Sequence, residues 1–136
     1  MNREIKFRAW DEERKTMYSG DEIEASEYLN AWLSYGELAI YRISHHGDYT
    51  ELLPLQYTGL KDRNGVDIYE GDVVKVDDGK YTGVVKFNHE DLSYVIEDKT
   101  GGYGFVNGKT YDEWPEYLTY EVIGNIYEQE VQEDVR

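Results

Sequence analysis

Three histidines are the residues of this chain best suited to metal or acid–base chemistry. His45 and His46 stand beside Asp48, and His89 stands beside Glu90 and Asp91. Imidazole with carboxylate is a donor set that holds zinc and related cations. Adjacent side chains on extended backbone point to opposite sides, so neither segment chelates alone. A metal-assisted hydrolase would need the two loops to meet in space. Gly101, Gly102, Gly104 and Gly108 could cradle a phosphate, but no Lys-Ser/Thr pair follows them and no helix begins there. Turn and bulge glycines explain the cluster better. No Gly-x-Ser-x-Gly elbow and no His-Glu-x-x-His pair occur. The absence of cysteine excludes a thiol nucleophile, a disulfide scaffold and a cysteine-ligated metal. The residues point away from catalysis, and neither a cofactor nor a metal is expected.

Charge and tyrosine are the stronger signals. Fourteen basic against twenty-nine acidic residues give a net charge of -15. That field repels phosphate backbones, so direct nucleic-acid binding is not expected. An acidic face that competes with nucleic acid for a basic partner is an alternative. Fourteen tyrosines favour half-buried sheet surfaces and suit protein interfaces, self-association included. At 136 residues with 40% hydrophobic content, the chain fits one domain with a core of its own. No apolar run approaches ~18 residues and no signal peptide is evident, so neither a membrane span nor export is expected.

These residues must be carried by short elements. Ile5, Phe7 and Ala9 alternate with Lys6, Arg8 and Trp10 as a strand, and Thr16-Met17-Tyr18 is read as its hairpin return. Ala25, Tyr28, Leu29, Trp32 and Leu33 recur at three- and four-residue spacing, which predicts a helix over residues 21–35 with Ser19 or Asp21 at its start and Gly36 at its end. Residues 38–43 and 50–53 read as strands, with Pro54 interrupting the second. Turns are predicted at Asn64-Gly65, Asp78-Gly79 and Gly101-Gly102, between short β segments that end with residues 120–127. A single helical turn is predicted over residues 109–117, where Pro115 stops any longer helix.

Three ordered blocks then carry a resemblance. Phe7-Arg8-Ala9-Trp10-Asp11, the long stretch from Leu55 through Tyr57-Thr58-Gly59-Leu60-Lys61-Asp62-Arg63-Asn64-Gly65 to Tyr69-Glu70-Gly71-Asp72-Val73-Val74, and Val122-Ile123-Gly124-Asn125-Ile126-Tyr127-Glu128 resemble the YopX family of phage and prophage proteins. The resemblance implies a mainly β protein of a bacterial virus, located in the host cytoplasm, with no catalytic residues to carry over. The middle block has two readings. Gly59 and Gly71 provide sharp bends or close backbone approach, or Gln56, Tyr57, Thr58, Asp62, Arg63, Tyr69, Glu70 and Asp72 line a binding surface.

The expected architecture is mainly β (α+β): an N-terminal subregion with one helix, residues 1–54, packed on a small C-terminal SH3-like β-barrel, residues 55–127. Together they form a single domain over residues 1–127, followed by an acidic tail, 128–136. The expected role is that of a non-catalytic accessory protein that binds another protein or assembles with itself.

Overall fold

The computed structural model describes residues 5–76, 81–90, 93–98, 101–104 and 120–128. Most of these are strand residues, so the molecule is mainly β. The chain divides into two compact units, residues 5–56 and residues from Tyr57 onward.

In the first unit, β1 (Phe7–Asp11) and β2 (Thr16–Tyr18) form the expected hairpin, with Ala9 opposite Tyr18 and Asp11 opposite Thr16. The predicted long helix is corrected. α1 covers only Gly20–Ala25, and Leu29–Ser34 is β3, paired along its length with β4 (Glu37–Ile43). Ser19 caps α1 through a reciprocal pair: its hydroxyl accepts from the Glu22 amide and the Glu22 carboxylate accepts from the Ser19 amide. The helix stops because Ser26 is extended (φ -88°, ψ 134°) and its Oγ accepts from the Tyr28 amide, a local bond that competes with helix continuation. Tyr35 and Gly36, at φ 53° and 85°, are the two central residues of a tight turn with Ser34 opposite Glu37. Both left-handed positions match the twist of a two-residue hairpin, so the chain reverses where the apolar spacing predicted continued helix.

β5 (Tyr49–Lys61) runs straight through Pro54, another correction. Leu52 is the last β5 residue paired with β4, while Pro54 faces Ala9 of β1. The missing amide therefore falls where the β4 side has no ladder to lose. The strand order of this unit is β2-β1-β5-β4-β3, and Ala9, Leu29, Ile40 and Leu52 form its core, flanked by Phe7, Tyr18, Ile23 and Leu38.

In the second unit the end of β5 pairs with β6 (Asp67–Tyr69) across a bulge between Tyr57 and Lys61. A separate antiparallel sheet has the order β10-β9-β8-β7-β11, built from β7 (Asp72–Val76), β8 (Tyr81–Asn88), β9 (Ser93–Asp98), β10 (Gly101–Gly104) and β11 (Tyr120–Asn125). Gly101 and Gly102 are strand residues opposite Asp98 and Glu97, not the turn expected of them. Among the described residues neither sheet closes into a barrel. The predicted Asp78-Gly79 turn, Gly108, the helical turn at 109–117 and tail residues 129–136 lie outside the described residues. Ile68, Val74, Val76, Val85, Tyr94 and Ile96 make the core.

Gly83 is the tightest point of that sheet. A Cβ there would lie 2.6 Å from Ile96 Cγ2 and 2.8 Å from the Glu97 carbonyl oxygen. Trimming a side chain relieves the first contact but not the second, which is backbone. Gly83→Ala is expected to destabilise the protein by about 1–3 kcal/mol, the usual cost of overpacking. Urea unfolding followed by circular dichroism checks it; an unchanged midpoint would contradict the packing described.

Candidate functional site

The residues singled out in the middle block divide by what their side chains already hold. Asp62 is buried, and its carboxylate accepts from three backbone amides: Asn64 (2.8 Å) and Val66 (2.9 Å) on Oδ1, and Val122 (2.9 Å) on Oδ2. Burial alone would raise its pKa, but those amides outweigh it and hold the carboxyl below its ordinary value. Asp72 is also buried and accepts from the Tyr69 amide at 2.8 Å, and the Thr58 hydroxyl accepts from Leu60 at 3.2 Å. Tyr57 and Tyr69 stand opposite each other with ring centroids 5.6 Å apart. Arg63 is exposed and Glu70 half-buried. Gln56 belongs to the first unit, where it pairs with Phe7. Asp62, Asp72 and Thr58 therefore organise backbone, and the outward groups of this set are few.

The glycines between them do what sequence reasoning allowed. Gly71 has φ 88°, and a Cβ on it would stand 2.7 Å from the Tyr127 ring. Its amide donates to the Val85 carbonyl and its carbonyl accepts from the Ile126 amide, both at 2.9 Å. Asn125, which the sequence reading placed in the third block without a role, completes the motif: its buried Oδ1 accepts from Tyr127 (3.0 Å) and Glu128 (2.8 Å).

The metal-assisted hydrolase, the second alternative, rests on the histidine loops. His45, His46 and His89 are all exposed. His45 and His89 rest edge-on against Tyr28 (5.2 Å) and Phe87 (5.0 Å). Among the described residues no group of three or more histidine or carboxylate donors could hold a metal ion.

Two features of the first unit were missed by sequence reasoning. One is a buried ion pair. Arg42 on β4 donates from Nε to Asp11 Oδ2 and from Nη2 to Glu13 Oε1, each at 2.5 Å, and the Arg42 and Asp11 side chains are 5% and 0% exposed. Burial pushes the Asp11 carboxyl up, but the Arg42 bond and the Arg14 and Glu13 amides together hold it below the ordinary value, while Arg42 is held more firmly protonated.

The other is an aromatic sheet face. Opposed residues of a ladder share a face, so Trp32, Tyr41 and Tyr49 lie on the side of β3-β4-β5 away from Ile40 and Leu52. Their rings touch in series, Trp32 to Tyr41 at 5.5 Å and Tyr41 to Tyr49 at 5.8 Å. Trp32 is 54% and Tyr49 55% exposed, and Leu33 at the end of β3 is 75% exposed. The tip residue Tyr35 is fully exposed despite its left-handed backbone, a conformation uncommon outside glycine and asparagine. Period-two spacing of Asn30, Trp32 and Ser34 carried the signal for this face, but the competing helical spacing hid it.

A family model described as YopX protein matches residues 6–131. The chain belongs to the YopX family. It is also similar to two crystal structures. One is protein yopX from Bacillus subtilis, at 21% identity over 90% of this chain and 92% of that one, with a TM-score of 0.49. The other is protein EF1440 from Enterococcus faecalis, at 26% identity over 95% and 97%, with a TM-score of 0.56. No curated protein matches the chain. The YopX match includes Asp62, Gly71, Asp72 and Asn125, whose observed work is to fix turns. No helix among the described residues is long and apolar enough to cross a membrane.

Proposed function

We propose that this YopX-family chain is a non-catalytic protein-binding module, made by a phage or prophage and acting inside the bacterial host. The observation that carries the reading is the exposed Trp32-Tyr41-Tyr49 face. Aromatic side chains of this kind supply much of the binding energy at protein interfaces, and a left-handed tyrosine at the hairpin tip is a local cost without a packing return.

The partner chemistry follows from charge. Glu51 is opposite Tyr41, Glu37 opposite Ser34, and Asp48 precedes Tyr49, while the sole base between residues 16 and 60 is the buried Arg42. An aromatic face with an acidic rim suits a protein surface bearing arginine or lysine, through cation–π and ion-pair contacts. A second copy carries the same rim and the same net charge of -15, so hetero-association is favoured over the homo-oligomer. The narrower alternative, an acidic decoy occupying a host protein's nucleic-acid site, is favoured by that same charge.

An SH3-like fold for the second unit belongs to this reading. Its support is connectivity: β7 to β10 run as a meander and β11 returns to pair with β7.

The test isolates a partner by capture from host lysate and then titrates the purified partner against wild type, Trp32→Ala and Tyr49→Ala. Each substitution is expected to weaken binding by about tenfold or more, as for an interface anchor, and affinity should fall with added salt. A partner that binds all three proteins equally would remove this face from the proposal. Light scattering covers the remaining case, since a dimer broken by Trp32→Ala would favour the second copy instead.

A further inference from the structure

A cavity of about 200 Å³ opens in the first unit where the loop after β1, the turn after α1 and the end of β4 converge. Arg14, Arg42, His45, Ser26 and Ser44 supply its polar lining, and Leu29, Ile43 and the rings of Tyr18 and Tyr28 the rest. In a chain with twenty-nine acids, no carboxylate lines it. Its walls are fixed by backbone bonds: the Ile43 amide donates to the Tyr28 carbonyl at 2.8 Å, and the Ser44 amide donates to the Asp48 carbonyl at 2.8 Å.

The donors left over define what could enter. A guanidinium carries five N–H groups. Arg42 engages Asp11 through Nε and Glu13 through Nη2, and Nη1 makes no hydrogen bond among the described residues. Arg14 uses only its backbone: its amide donates to Asp11 and its carbonyl accepts from Thr16. Two arginines with unspent donors thus line one cavity, Arg42 held by buried Asp11, together with Ser26, Ser44 and His45. Fork-shaped guanidinium donors match the paired oxygens of a phosphate or carboxylate. The aliphatic and aromatic walls require an apolar group next to that anion.

We infer that this cavity binds a small oxyanion, phosphate or carboxylate, borne on a short aromatic or apolar group. Asp11 and Glu13 act as positioning residues, holding the Arg42 fork toward the cavity.

The test titrates phenyl phosphate, benzoate and the uncharged benzyl alcohol into the full chain and follows backbone amide shifts by NMR. Phenyl phosphate or benzoate is expected to give saturable shifts at Ser26–Leu29 and Ile43–His45, and whichever binds tighter identifies the anion. Arg14→Gln, an exposed position, should weaken that binding about tenfold, the loss of one charge-assisted bond. Glu13→Gln keeps the acceptor on Arg42 while removing a repelling charge, and should tighten binding several-fold. A purely structural role for these residues would move neither constant. Absence of saturable shifts, equal constants in all three proteins, or equal binding of benzyl alcohol would overturn the assignment.

Discussion

Replacing Arg42 by methionine is expected to destabilise the protein by about 3–5 kcal/mol, the cost of leaving a buried charge without its partner. Asp11 is fully buried, and its contacts to Arg42 Nε at 2.5 Å and to the Arg14 amide at 3.0 Å replace the water it has lost. Removing the guanidinium leaves the carboxylate beside Trp10 and Ala9, both buried, with backbone amides as its remaining donors. The carboxyl then regains a proton more readily, so the variant should lose less of its stability on acidification than wild type does. Adding Asp11→Asn to Arg42→Met should recover part of the deficit, because an amide is far cheaper to bury than an unpaired charge. Urea titration of the wild type, both single variants and the double variant gives the coupling. A value near zero would mean that the pair stabilises nothing jointly. Glu13 differs: its side chain is 70% exposed, and Glu13→Gln should shift stability by no more than about 1 kcal/mol, as for a solvated ion pair.

The same pair shows why part of the molecule was legible in the sequence and part was not. Alternation at Ile5, Phe7 and Ala9 is local information, so β1 and its hairpin could be read directly, as could β4. The segment from Leu29 to Ser34 satisfies a helical and an extended pattern at once, and only pairing with β4 decides between them. Pro54 misled for the same reason, since its missing amide matters only on a side where a neighbour still pairs. Which acid meets Arg42 is not encoded nearby at all: Asp11 lies thirty-one positions away, among twenty-nine acids of similar appearance. The Asp62 motif lies between these extremes. An aspartate two residues before Asn64-Gly65 announces a side-chain-capped turn, yet nothing in the sequence announces that its second oxygen reaches Val122.

That second oxygen makes Asp62 the other position of large effect. Asp62→Ala strips three amides of their acceptor at a site that is 7% exposed, and the expected loss is about 3 kcal/mol, from unsatisfied buried donors together with the lost charge-assisted bonds. Asp62→Asn is the sharper probe. Its Oδ1 can still serve Asn64 and Val66, but its Nδ2 would point a donor at the Val122 amide, so it should recover only a fraction of the loss. The acid response carries the sign. The folded-state pKa of Asp62 lies below the ordinary value of 3.8, so the carboxylate's contribution is complete above that value and disappears as the pH falls through the lower, folded one. Wild type should therefore lose stability steeply below about pH 4, while Asp62→Asn, already without the charge, gives a flatter curve over the same range. Denaturation midpoints measured from pH 6 down to about pH 2 separate the two. Parallel curves would show that the carboxylate is not held in its charged form by Asn64, Val66 and Val122, and the stapling of the 62–66 turn to β11 would then rest on packing alone.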